Sequence, residues 1–159
     1  MSKDYKNALS CFATGVAVIT TRHNNVDYGL TCSSFNSVSI NPALVLWSLN
    51  HGSSTKAPIV ESNGYTVSIL AADQADLAMK FCLGDHEQRF EGVPVVRAPS
   101  GRAIIEGAIA WFDCELHESI PAGDHDIMLG HVQKYASKTG EGLVFERSRF
   151  GVVQHLVTS

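Results

Sequence analysis

The sequence predicts a mainly β fold, an antiparallel barrel with peripheral helices. Two observations point there. About seven strand-like segments follow one another through turns, and only three short helical segments accompany them, too few to cover both faces of a parallel sheet. Closing such a sheet would also remove unprotected edges.

Residues 4–13 have helical character, with Ala8, Leu9 and Phe12 on one face and Gly15 as the stop. Val16–Thr21 is rich in β-branched residues and reads as a buried strand, followed by a turn at His23-Asn24-Asn25. Extended runs cover 28–38 and, beyond the Asn41-Pro42 breaker, 44–49. Ser53-Ser54-Thr55 opens a short helix that Asn63-Gly64 closes. Residues 65–71 alternate as a half-buried strand, with Tyr65, Val67, Ile69 and Ala71 on one face. Asp73 is the expected N-cap of a helix carrying Leu77, Ala78, Phe81 and Cys82. A polar loop over 97–102 leads to strands at 108–117, 126–136 and 143–146, and a last one starting at Phe150-Gly151.

A length of 159 residues implies a single domain over 1–159. Such a chain buries roughly 70% of its unfolded surface, enough for a sizeable core. A 45% hydrophobic and 18% charged composition argues against disorder. Net charge is −4 and no basic run tracks a phosphate backbone, so no nucleic-acid partner is expected. No apolar stretch is long enough to span a bilayer, and no h-region follows the charges of the first six residues. With four widely spaced cysteines and no C-x-x-C pair, the expectation is a cytoplasmic protein with mostly buried, reduced thiols and no metal site.

Dinucleotide-loop, P-loop, nucleophile-elbow and zincin motifs are all missing. Three segments carry chemistry instead. Thr31-Cys32-Ser33-Ser34-Phe35-Asn36-Ser37-Val38-Ser39 holds five small hydroxyl residues in a strand context. Small residues let a flat ligand reach the backbone N–H and C=O groups, but a solvated strand face explains them equally well. Ser53-Ser54-Thr55-Lys56 offers a helix start and a cation suited to phosphate. Taken alone, it reads first as a plain N-cap. Gly123-Asp124-His125-Asp126 puts a histidine at a strand turn, where solvent exposure is the usual case and either aspartate could orient the ring.

Read together and in order, these segments resemble the short-chain flavin reductases that serve two-component flavin-dependent monooxygenases. Phe12-Ala13-Thr14-Gly15-Val16-Ala17-Val18-Ile19-Thr20-Thr21 is similar to that family's opening F-x-T-G-V-x-V-V-T. Residues 29–42 resemble its G-M-T-x-N-S-F-x-S-V-S-L-x-P. Leu44–Leu49, Ser53-Ser54-Thr55, Arg89-Phe90, Gly92-Val93, Gly123-Asp124-His125 and Arg149-Phe150-Gly151 follow at family spacing. The resemblance implies an FMN-binding split barrel, usually a homodimer with flavin near the subunit interface. It implies hydride transfer from NADH or NADPH to FMN or FAD, with a monooxygenase receiving the reduced flavin. The alternative is a split-barrel flavoprotein that retains FMN as carrier, sensor or reductase of another acceptor.

By the same resemblance, Thr31, Cys32, Ser33, Ser34 and Phe35 would line the isoalloxazine ring. Leu49, Asn50, Ser53, Ser54 and Thr55 would hold the ribityl chain and phosphate. His125 would lie beside the nicotinamide as the catalytic-site positioning group, with Phe150 packing nearby. Ser33 stands where the family commonly has Asn, which removes an amide from the flavin edge. Phe150 stands where Tyr is frequent, keeping the ring and losing the hydroxyl.

Overall fold

The computed structural model describes residues 2–157. Three helices are present among them: α1 (Lys3–Ser10), α2 (Lys56–Ser62) and α3 (Ala75–Leu83), with a 3₁₀ turn at His86–Gln88. Seven strands form one antiparallel sheet: β2 (Ala17–His23), β3 (Val26–Cys32), β4 (Asn36–Ser39), β5 (Leu44–Asn50), β6 (Gly64–Ile69), β9 (Ala110–Ala122) and β10 (His125–Ser137). Their order is β3-β2-β6-β9-β10-β5-β4. A second sheet joins β1 (Thr14–Gly15) to β11 (Leu143–Glu146) and β12 (Arg149–Val152). A hairpin of β7 (Val95–Arg97) and β8 (Ala103–Ile105) forms a separate two-stranded sheet, with the buried β8 packed against β2 and β6.

Strand alternation divides the core in two. Ala17 and Ile19 of β2 enter a cluster with Trp47, Leu49, Tyr65, Val67, Cys114 and Met128, drawn from strands distant in the sheet order. Their meeting requires the sheet to curl around this cluster. Val16 and Val18 point the other way, into a second cluster with Leu70, Ala78, Phe81, Ile105 and Leu143. Hence β2 is buried on both faces, as its β-branched run predicts. The two end strands, β3 and β4, do not pair with each other among the described residues, so the curled sheet is not closed by hydrogen bonds.

Several expectations need correction. Residues 28–38 are two strands, because 33–35 leave the ladder. β6 is buried on both faces rather than one. Thr66 bonds the Asp113 carboxylate at 2.9 Å, and Ser68 Oγ accepts from the Ile105 N–H at 3.1 Å, so its polar face is satisfied in the interior. Asp73 does not cap α3. Gln74 takes the N-cap place, its side chain accepting from Ala71 N–H and donating to Glu106 O, both at 2.9 Å. The 97–102 loop is the tip of the β7–β8 hairpin. Helix α1 buries none of its residues, and Leu9 and Phe12 are exposed. Of the cysteines, Cys114 is buried, Cys32 half-buried, and Cys11 and Cys82 exposed.

Candidate functional site

The turn between β3 and β4 carries the first group of residues. Thr31 Oγ1 donates to Ala78 O at 2.6 Å, tying β3 to α3. Arg89 strengthens that tie, donating to Gly29 O at 2.8 Å and to Gly84 O at 2.9 Å. Gly29 must be glycine here, since a β-carbon would lie 2.8 Å from the Phe81 ring and 3.1 Å from Phe90. Cys32 turns toward the main core, where burial pushes its thiol up to about 11 against the pull of the Ser34 and Phe35 groups. Ser33 is exposed. Ser34 Oγ accepts from Ser48 N–H at 2.9 Å, and Phe35 packs on Phe112 at 5.4 Å.

The second group lies where β5 runs into α2. Asn50 Oδ1 accepts from Gly52 N–H at 2.9 Å, Asn50 O from Ser53 N–H at 3.0 Å, and Ser53 Oγ from Thr55 N–H at 3.2 Å. These bonds wind the chain into the helix and leave Ser54 exposed. Leu49 is 1% exposed and Thr55 0%. The Leu49 side chain belongs to the core, and the Thr55 hydroxyl is buried without a partner. Both side chains are therefore turned away from any ligand on the surface, and only their backbone groups are placed to meet one.

The third group is the β9–β10 turn. Gly123 takes φ 65°, a conformation that favours glycine. Asp124 O accepts from His51 N–H at 3.1 Å. The Asp124 carboxylate is 2.7 Å from His125 Nδ1, and that bond holds its carboxyl below the usual range. His125 pairs with Asn50 in the β5–β10 ladder. Asp126, read from sequence as a second possible partner of His125, points inward instead. It is 1% exposed, 2.7 Å from Lys56 Nζ and 3.3 Å from His51 Nε2.

These groups share one region. Ser34 bonds Ser48, and Asn50 lies two residues further on the same face of β5, about 7 Å along the strand. The Asn50–His125 rung therefore joins the second and third groups close to the first. Thr31, Cys32, Ser33 and Phe150 also line one cavity of about 170 Å³, walled by Val16, Ala78, Met79, Cys82 and Phe145. Phe145 and Phe150 lie 5.2 Å apart. A larger open groove of about 610 Å³ is lined by Asp73, Glu106, Lys138 and Glu141 among others. It shares no residue with the three groups and presents no aromatic ring.

The sequence reading missed Met79, Phe145 and His51. Helical spacing of Ala78 and Cys82 was the available signal for the α3 wall. Strand alternation separates Asp126 from His125 and could have shown that they face opposite ways.

Comparison with known proteins identifies the family. Residues 9–154 match the flavin reductase like domain. The chain is 36% identical over 157 residues to FMN reductase (NADH) SmoA of Agrobacterium fabrum, covering 94% of this chain and 85% of that protein. It is 33% identical over 148 residues to the reductase component of 4-nitrophenol 4-monooxygenase/4-nitrocatechol 2-monooxygenase of Rhodococcus opacus, covering 93% and 79%. The solved structure of the Streptomyces globisporus NADH:FAD oxidoreductase SgcE6, in complex with NAD and FAD fragments, superposes with TM-score 0.88 at 32% identity, covering 92% of this chain and 89% of that one. With a family match over most of its length and relatives well above 30% identity, the chain belongs to the flavin reductase family.

Proposed function

We propose that the protein reduces free FMN or FAD with NADH and supplies the reduced flavin to a partner monooxygenase. The observation that carries this reading is the meeting of the β3–β4 turn, the β5–α2 segment and the β9–β10 turn at one place. It is supported by relatives named as NADH-dependent FMN reductase and as the reductase component of a monooxygenase.

The residues present fit a flavin. Exposed Ser33 and Ser54 hydroxyls, the Asn50 amide and the off-ladder backbone of 33–35 make a mostly neutral donor set, and Phe145 and Phe150 supply flat apolar surface. Bound flavin supplies the hydride acceptor. The protein's own work is positioning, because hydride transfer between two stacked rings needs no nucleophile. Backbone groups around Ser33 and Ser34 read the polar edge of the ring and meet charge that develops there. Ser53 and Ser54, with Asn50, hold the ribityl chain and phosphate. His125 orients the nicotinamide through Nε2, its Nδ1 being engaged by Asp124.

A cavity of about 170 Å³ is small beside the roughly 300–1,000 Å³ of sites that enclose a ligand. We therefore read the functional form as a homodimer in which the second subunit supplies the missing wall. Four unpaired cysteines suit a cytoplasmic location.

The test is anaerobic: catalytic protein, NADH and either flavin, with loss of the oxidised flavin's visible absorbance as readout. Reduction well above the protein-free rate is expected. Light scattering that reports a fully active monomer would contradict the dimer.

A further inference from the structure

Asp126 follows His125 by one residue, so β10 turns its carboxylate to the opposite, interior face. There it is 1% exposed and receives two side chains from the segment between β5 and α2, Lys56 at 2.7 Å and His51 at 3.3 Å. The His51 N–H to Asp124 O bond, 3.1 Å, ties the same two segments a third time. Burying a carboxylate against a partly exposed ammonium is a poor source of stability, because desolvation offsets the attraction. What such a pair fixes is geometry.

We propose that Asp126 is a positioning residue for hydride transfer: through Lys56 and His51 it locks the segment carrying Ser53 and Ser54 onto the start of β10, which carries His125. The inference rests on the roles given above to Ser54 and His125. If those residues hold the flavin phosphate and the nicotinamide, Asp126 sets the separation between the two ring-binding parts of the site. Transfer is steeply sensitive to that separation, and a misplacement of about 1 Å can cost about a hundredfold. The pair needs no contact with either nucleotide to act. Lys56 approaches from α2 and Asp126 from β10, so a shift of either segment strains or lengthens the contact.

The experiment measures hydride transfer by stopped flow at saturating NADH and flavin, with a separate flavin titration. The variants are His125→Ala, Asp126→Asn, Lys56→Met, Lys56→Arg and the double variant of His125→Ala with Lys56→Met. Asp126→Asn and Lys56→Met are each expected to slow transfer about tenfold, with apparent flavin affinity changing less. Lys56→Arg should restore most of the rate, since a guanidinium also reaches the carboxylate. In the double variant, Lys56→Met should add less than its own factor, because both changes act on one geometry. The urea midpoint of each variant, read beside its rate, separates a positioning loss from a strand that misfolds, since the slowed variants should still be folded at the assay temperature.

Wild-type rates in Asp126→Asn and Lys56→Met beside a slow His125→Ala would overturn the positioning role while leaving the reading of His125 in place. Slow transfer in Lys56→Met with a normal His125→Ala would break the link to His125 and overturn it as well. Fully multiplicative effects, or a Lys56→Arg as slow as Lys56→Met, would do the same.

Discussion

The indole of Trp47 meets the ring of Tyr65 edge to face, with centroids 5.6 Å apart, although β9 and β10 lie between their strands in the ladder. In a flat sheet three strand spacings would separate them by about 14 Å. The contact exists because the sheet curls around its core. Tyr65 continues across that core, and its hydroxyl donates to Met128 O on β10 at 3.0 Å. The β10 strand so fixed is the one that begins with His125.

That crossing explains a glycine. A β-carbon at Gly130 would run into the Tyr65 hydroxyl and come within 3.1 Å of the Cys114 side chain, and Tyr65 is wholly buried. Gly130→Ala should destabilise the fold by about 1–3 kcal/mol, the usual range for overpacking. Urea unfolding reads this directly. A wild-type midpoint would mean that Tyr65 does not cross the core as described.

The hydroxyls at the start of α2 should separate by function. Ser54 is exposed, and Ser54→Ala should weaken flavin binding by about 1–3 kcal/mol, as for a lost hydrogen bond to a charged group. Thr55 is buried with its hydroxyl unpaired. Thr55→Val should leave flavin affinity unchanged and should equal or exceed the wild type in thermal stability, because it removes an unsatisfied polar atom. Flavin fluorescence quenching and a melting curve decide both. If Thr55→Val alone loses flavin, the phosphate contact is at the wrong residue.

Thiol reactivity tests the cavity. Burial pushes Cys32 up to about 11 and Cys114 up to about 12, so both should react more slowly than an exposed thiol, Cys114 the slower because it is wholly buried. Cys11 and Cys82 are exposed and should react first. Since Cys82 lines the cavity with Phe150, flavin together with oxidised nicotinamide should slow its labelling and leave Cys11 unaffected. Equal rates with and without the nucleotides would remove that cavity from the site.

Much of this was legible in the sequence, and the remainder was hidden for definable reasons. The β-branched run of β2 and the alternation at the start of β9 marked real strands. β7 and β8 have three residues each, too short for a periodic signal, so only the 97–102 tip between them was read, as a loop. The ordered resemblance to a family pointed to three segments but not to which way each side chain turns. Leu49 and Thr55 face inward. Their neighbours Ser48, Asn50 and Ser54 present the accessible groups. The Lys56–Asp126 pair joins residues 70 positions apart, a contact that spacing alone does not reveal.

That pair also has a pH signature. The Lys56 ammonium, 2.7 Å away, holds the Asp126 carboxyl below its ordinary value, against desolvation, with His51 assisting. A carboxyl depressed in the folded state contributes stability fully above its unfolded pKa of about 3.9 and loses it as pH falls through the lower folded value. Lys56→Met should therefore be less stable than wild type at neutral pH, with the gap closing once the pH drops below about 4. A gap that persists unchanged into acid would assign the loss to packing of the lysine stem.

On this reading flavin is a substrate turned over by the site rather than a group it retains. Its most direct test is steady-state oxidation of NADH by the purified protein with free FMN or FAD in large molar excess. The expected rate saturates with flavin concentration and continues through many equivalents per protein chain. Oxidation that stops after a single equivalent, or that fails to respond to either flavin, would contradict it.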